Sequence, residues 1–119
     1  MTALDCVRAA KDLGPEFQRA VNAFIDEFRA AAAPARLLLV QAPIEQSGEL
    51  EGLVAAVVSA LCRETGMPAP GWVALIGSPE PFFAFPARSF ELRVLLMIES
   101  PPPFRIRNVF VPREYLSRA

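Results

Sequence analysis

Arg105 and Arg107 stand two residues apart in the stretch Phe104-Arg-Ile-Arg-Asn-Val-Phe-Val111, directly after Pro101-Pro-Pro103. Residues i and i+2 of an extended chain project to the same side. Both guanidinium groups would then point outward from a docked terminal segment that Phe104, Ile106, Phe110 and Val111 hold to the body. Such a pair can clamp a phosphate or a partner carboxylate in bidentate fashion. It can equally form a solvated edge, or pair with acidic helix faces of its own molecule. A second cluster, Trp72 with Phe82, Phe83 and Phe85, offers flat apolar surface. Stacking platforms for nucleobases interleave aromatic with basic side chains, and residues 67–87 contain no Lys or Arg. The cluster is therefore either cover for the core or part of a protein interface.

Missing residue types narrow the chemistry further. The chain has no histidine, which removes the commonest general base, the commonest zinc ligand and every Ser-His or Cys-His nucleophile pair. Cys6 and Cys62 are the only cysteines; far apart and each inside a helical pattern, they form no zinc-ligand spacing. They read as buried or half-buried thiols in a reducing compartment. Asp26-Glu27 and Glu49 with Glu51 are the candidate carboxylate pairs for metal or acid–base work. Adjacent residues on a helix point about 100° apart, so neither pair converges by itself, and both read as solvated faces with favourable helix-start charge. The six glycines form no phosphate-cradling loop, and Lys11 is the only lysine. We expect no catalytic residue, no cofactor and no metal.

These side chains must be positioned by helices. Residues 3–12 read as a short helix with Thr2 as its cap. Gly14-Pro15 breaks it, and from Pro15 to about residue 32 Phe17, Ala20, Val21, Phe24, Ile25 and Phe28 recur at helical period. Residues 35–41 hold Leu37–Val40, an apolar run that periodicity alone leaves as a buried strand or a short buried helix; helix is favoured because no second strand of comparable quality exists to pair with it. A third long helix opens at Ser47-Gly48, with Ser47 as cap and Glu49 and Glu51 in the first turn, and carries Leu50, Leu53, Val54, Val57, Val58 and Leu61 to Gly66. Residues 67–87 form a proline-punctuated connection with one helical turn at 72–76. Residues 89–99 form a fourth long helix, apolar nearly all round and so expected at the centre of the core. Residues 112–118 suit a single helical turn.

The 119 residues fit one domain, 1–119, and 53% hydrophobic content supports a packed core. Charge is uneven. Residues 1–87 carry six basic and ten acidic side chains, a balance of −4, and residues 88–119 carry six Arg and three Glu, a balance of +3; together they give the net −1. An acidic body with an arginine-bearing tail suits a protein partner, or a local phosphate contact, better than wholesale nucleic-acid binding. The N-terminus lacks the pattern of a signal peptide, and no apolar run is long enough to span a bilayer. A cytoplasmic protein without membrane contact is the expectation.

Several blocks resemble a family of small bacterial helical proteins. They are Phe24-Ile-Asp-Glu-Phe28, Gly66-Met-Pro-Ala-Pro-Gly-Trp72, Pro79-Glu-Pro-Phe-Phe83, Glu99-Ser-Pro with Phe104-Arg-Ile-Arg-Asn-Val-Phe-Val111, and Leu116-Ser-Arg-Ala119. Members of that family are encoded beside nucleotidyltransferase-like proteins in arrangements resembling toxin–antitoxin modules. The resemblance implies a small helper or antitoxin-like partner. This chain departs from the family pattern where relatives often carry histidine, near Arg63-Glu64, and where they carry Trp-Phe in place of Phe82-Phe83.

The sequence thus predicts a mainly α domain of about four helices, with Pro-rich connections and an extended C-terminal segment. Its expected role is that of a non-catalytic protein–protein partner, antitoxin-like or accessory to a nucleotidyltransferase-type protein. Arg105, Arg107, Phe104, Phe110, Trp72, Phe82 and Phe83 are the expected contact residues. The alternatives are a nucleic-acid-binding accessory protein using Arg93, Arg105, Arg107, Arg113 and Arg118, and, more remotely, a carboxylate-based enzyme.

Overall fold

Thr2 starts the first helix as its composition requires. Its hydroxyl accepts the Asp5 amide at 3.1 Å while the Asp5 carboxylate accepts the Thr2 amide at 3.0 Å, a reciprocal cap that satisfies two otherwise orphaned donors. The computed structural model describes residues 1–117, and among them the chain is mainly α. Helices α1 (Ala3–Leu13), α2 (Gln18–Ala30), α3 (Ala33–Val40) and α4 (Glu49–Glu64) make up the first half; α5 (Phe90–Glu99) and α6 (Pro102–Arg105) follow. Two-residue strands β1 (Phe82–Phe83) and β2 (Val109–Phe110) pair in parallel, with Phe82 opposite Val109 and Phe83 opposite Phe110. Short 3-10 turns occupy Gly14–Glu16 and Gly71–Leu75.

The periodic stripes of α1 and α2 meet the core as read. Phe24, Ile25 and Phe28 are fully buried. Leu37–Val40 is helical but not buried as expected: Leu37 and Leu38 are 51% and 60% exposed, and only Val40 of α3 is buried. Two helix starts differ from the sequence reading. Pro15 lies in the 3-10 turn ahead of α2, because Phe17 still bonds back to Gly14 and the regular ladder begins only at Gln18. Ser47 does not cap α4; Gly48 holds that position, and the Ser47 hydroxyl accepts the Gly77 amide instead.

The largest difference concerns which helix is central. Gly52 through Val58, Leu61 and Cys62 of α4 are all buried, and α1, α2, α6, the 3-10 turn at Gly71–Leu75 and β2 all pack against it. Each buried Val or Leu of that helix removes apolar surface worth roughly 1.5–3 kcal/mol. α5, expected at the centre, lies at the periphery. Only Leu96 of α5 is buried, in a small cluster with Ala87, Phe110 and half-buried Phe83. Glu91, Arg93 and Glu99 interrupt its apolar surface, and it meets the body through the stripe of Arg93, Leu96 and Ser100.

The C-terminal block is also not simply extended. Pro102 and Pro103 occupy the first turn of α6, where a missing N–H costs nothing, and the turn continues through Arg107 N–H to Phe104 O and Asn108 N–H to Arg105 O. Asn108 takes the left-handed conformation, φ 63°, which a short polar side chain tolerates. The chain there reverses into β2. Residues 113–116 form a turn; Arg118 and the end of the Leu116–Ala119 block lie outside the described residues.

Candidate interaction surface

The helical turn at α6 decides where the two arginines go. Side chains two apart on a helix diverge by about 200°, so Arg105 and Arg107 separate. Arg107 is 9% exposed and points inward. Its Nε and Nη2 donate to the Val73 carbonyl at 3.3 and 3.1 Å, and its Nη1 donates to the Pro103 carbonyl at 2.7 Å. Burial lowers its pKa below the ordinary guanidinium value. The pairwise outward clamp expected from the sequence is therefore not formed: Arg107 ties α6 to the Gly71–Leu75 turn. Arg105 is exposed, and its Nη1 donates to the Ile98 carbonyl at the end of α5, 3.4 Å away.

The other expected contact residues lie mostly inside. Phe104 is fully buried, with its ring edge-on to Tyr115 at 5.5 Å. Phe110 is buried against Phe83 at 5.2 Å. Phe82 is half-buried on Phe17, and half-buried Trp72 donates its indole N–H to the Val40 carbonyl at 2.9 Å. These aromatics join distant segments of the chain, and Phe104 and Phe110 shape the surface from beneath.

Among the described helices α5, expected in the core from the sequence, exposes the most large apolar side chains; α3 exposes Leu37 and Leu38, and Phe85 is half exposed in the connection before α5. One polar contact caps α5 and two fasten its inner side. Ser89 accepts the Leu92 amide at 3.1 Å as its cap. Arg93 donates to the Ala87 carbonyl at 3.0 Å and stacks over the Phe83 ring. Ser100, 2% exposed, bonds to both main-chain groups of Val111. The outer side carries Phe90 (77% exposed), Leu95 (46%) and Ile98 (66%), flanked by Leu92 and Met97. Past Arg105, Ile106, expected from the sequence to hold the terminal segment to the body, is instead 75% exposed and shares a shallow depression with exposed Leu75. Isolated exposed apolar residues are ordinary, whereas a contiguous strip marks a binding face.

Charge around this strip differs from that of the body. Four ion pairs occur among the described residues: the N-terminus with Glu27, Lys11 with Glu51, Arg19 with Glu16 and Arg29 with Glu64. All fall within residues 1–64. Arg88, Arg93 and Arg105 have no carboxylate within 4 Å among the described residues, and neither Glu91 nor Glu99 has a cation. Of the carboxylates singled out in the sequence, Glu27 and Glu51 are engaged in these pairs. No group of three or more Cys, Asp or Glu side chains converges among the described residues. Cys6 and Cys62 are buried free thiols, and burial pushes the Cys6 thiol up to about 12.

Two other depressions exist. One of about 480 Å³ is lined by Phe17, Gln18, Asn22, Phe85 and Tyr115, and one of about 440 Å³ by Arg8, Lys11, Ile44 and Glu51. Both are open; the second also carries Glu45 and Gln46, with Lys11 and Glu51 paired to each other, and no buried polar side-chain atom among the described residues lacks a partner. No helix of the described chain is long and apolar enough to cross a membrane. No family model, no curated protein and no solved structure matches this chain.

Proposed function

We propose that this protein is a non-catalytic interaction component whose outward apolar helix, α5, is covered by protein in the assembled state. One observation carries the reading: the side of α5 turned away from the body is the apolar one, with Phe90 and Ile98 more than half exposed. Leaving side chains of this size in water forgoes roughly 1.5–3 kcal/mol each, a cost a binding surface recovers on association. The inner side of the same helix is held by Arg93, Leu96 and Ser100, so its orientation is specified and not accidental.

In the finer form of this proposal, drawn from the family resemblance, the assembly includes a nucleotidyltransferase-type protein, and this chain is its antitoxin-like or accessory component, acting in the cytoplasm. The nucleic-acid alternative draws on Arg88, Arg93 and Arg105, which have no carboxylate partners; it loses Arg107, whose three bonds are spent on backbone carbonyls. It requires steeply salt-dependent binding to DNA or RNA.

Purification of the tagged chain at native expression levels, with the mass of the eluted species read by light scattering, tests the reading. We expect a species heavier than one chain, with a nucleotidyltransferase-type polypeptide in stoichiometric amount. Recovery of bare monomer would overturn the proposal. Recovery of a homogeneous self-assembly would remove its finer form.

A further inference from the structure

We infer that the cover of α5 is a second copy of this chain, docked antiparallel about a two-fold axis that passes near Leu95. The inference rests on the reading that protein covers this helix, and it names the protein. A two-fold contact joins one patch to itself, so each feature must find its complement on the same surface. Glu91 stands in the first turn of α5. Arg105 stands at the other end, its guanidinium on the Ile98 carbonyl. Neither has an oppositely charged partner among the described residues. Glu91 and Ile98 are seven residues apart, about 10 Å along the axis. An antiparallel copy turned about the midpoint of that span brings Glu91 to Arg105 of the second copy, and Arg105 to the second copy's Glu91.

The apolar groups obey the same symmetry. Phe90 lies at the Glu91 end and Ile98 with Ile106 at the Arg105 end, all at least 66% exposed. Reversal sets the Glu91 end over Ile98 and Arg105, with Leu95 near the axis, while Phe90 borders the seam about 90° from its centre. Glu99, the other carboxylate of α5, is half-buried and borders the seam on the side opposite Phe90, about 80° round the helix from Glu91.

Glu91 also argues against a lipid surface as the cover. Seven residues correspond to nearly two full turns, so Glu91 falls within about 20° of Ile98 on the outward face. A carboxylate in the middle of the apolar strip opposes burial among acyl chains, and a guanidinium across a protein seam satisfies it.

Sedimentation of the recombinant protein alone, from 1 to 100 µM, tests the inference. We expect a dimer. Glu91→Arg and Arg105→Glu should each raise its dissociation constant about tenfold or more, as close interfacial charge pairs do. The double exchange should restore the original value to within a few-fold, the signature of direct coupling. Leu95→Glu should give a monomer with unchanged circular dichroism. A wild-type chain that stays monomeric at 100 µM overturns the inference, whether or not it binds anionic vesicles, and leaves the reading of a protein-covered helix to be decided by the native complex. A dimer indifferent to Leu95→Glu overturns it too, and so does a double exchange as weak as the singles.

Discussion

The Ser100 hydroxyl bonds to both main-chain groups of Val111: Ser100 Oγ accepts the Val111 amide at 2.7 Å and lies 2.9 Å from the Val111 carbonyl. The same oxygen lies 2.8 Å from the Leu96 carbonyl, so its single proton serves the end of α5 and the strand β2 together. A buried side chain of two heavy atoms thus fixes the outer helix to the sheet, and with it the direction in which the apolar strip faces.

Ser100→Ala leaves the Val111 amide without its partner in a buried site. We expect a loss of about 1–3 kcal/mol, seen as a lower denaturation midpoint. Hydrogen exchange at the Val111 amide should rise more than exchange in α4, because the bond is local to the attachment of α5.

Arg107→Met should cost about 2–4 kcal/mol, since the carbonyls of Val73 and Pro103 lose three donors at once. Arg107→Lys should recover only part of this, because one ammonium cannot reproduce the planar fork. Chemical denaturation of the two variants beside the parent checks the order.

α1, α2 and α4 were legible because the period of their apolar residues and their burial agree: Phe24, Ile25 and Phe28 of α2 recur at helical spacing and all end in the core. α5 was misplaced because an apolar-rich composition does not say which elements pack on it: Phe90, Leu92, Leu95, Met97 and Ile98 are exposed, and only Leu96 is buried. The inward turn of Arg107 was hidden for a different reason. Alternation by two applies to extended backbone, and Pro102-Pro103 instead starts a helical turn that sends Arg105 and Arg107 apart. The position of Phe104 beneath Tyr115 depends on that turn and on a fold-back that no local spacing encodes.

Gly52 shows where packing outweighs helix propensity. A Cβ there would lie 2.7 Å from the Ser78 amide nitrogen and 2.8 Å from the Gly77 carbonyl carbon, both backbone atoms that cannot swing aside. Alanine gains up to about 1 kcal/mol in helix propensity, but displacing the 77–78 segment costs about 1–3 kcal/mol. We expect Gly52→Ala to be net destabilising, while Gly71→Ala, which meets nothing within 4 Å, should be close to neutral in the same thermal melt.

Both thiols should resist a disulfide reagent at pH 8 in the folded protein and react fully once it is unfolded. The Cys6 thiol is held protonated by burial, with its pKa raised from 9.0 to about 12, and burial raises that of Cys62 as well. A raised pKa favours the proton-bound form of the folded state. Its contribution is therefore complete below about pH 9 and declines as pH rises toward 12. The denaturation midpoint should fall across that window. The fall should be shallower in Cys6→Ala, with Tyr115, whose phenol is also shifted upward by burial, supplying a remainder of the same sign.

The outward apolar face of α5 is tested most directly by a photo-crosslinking amino acid at position 95, irradiated in cells that express the chain at its native level. The account predicts that the 13.0 kDa band shifts to a discrete heavier adduct, whether a doubled chain or a chain joined to another polypeptide, and that the same probe at exposed Arg19 on α2 gives none. An unshifted band at position 95, with the protein folded and abundant, would contradict it.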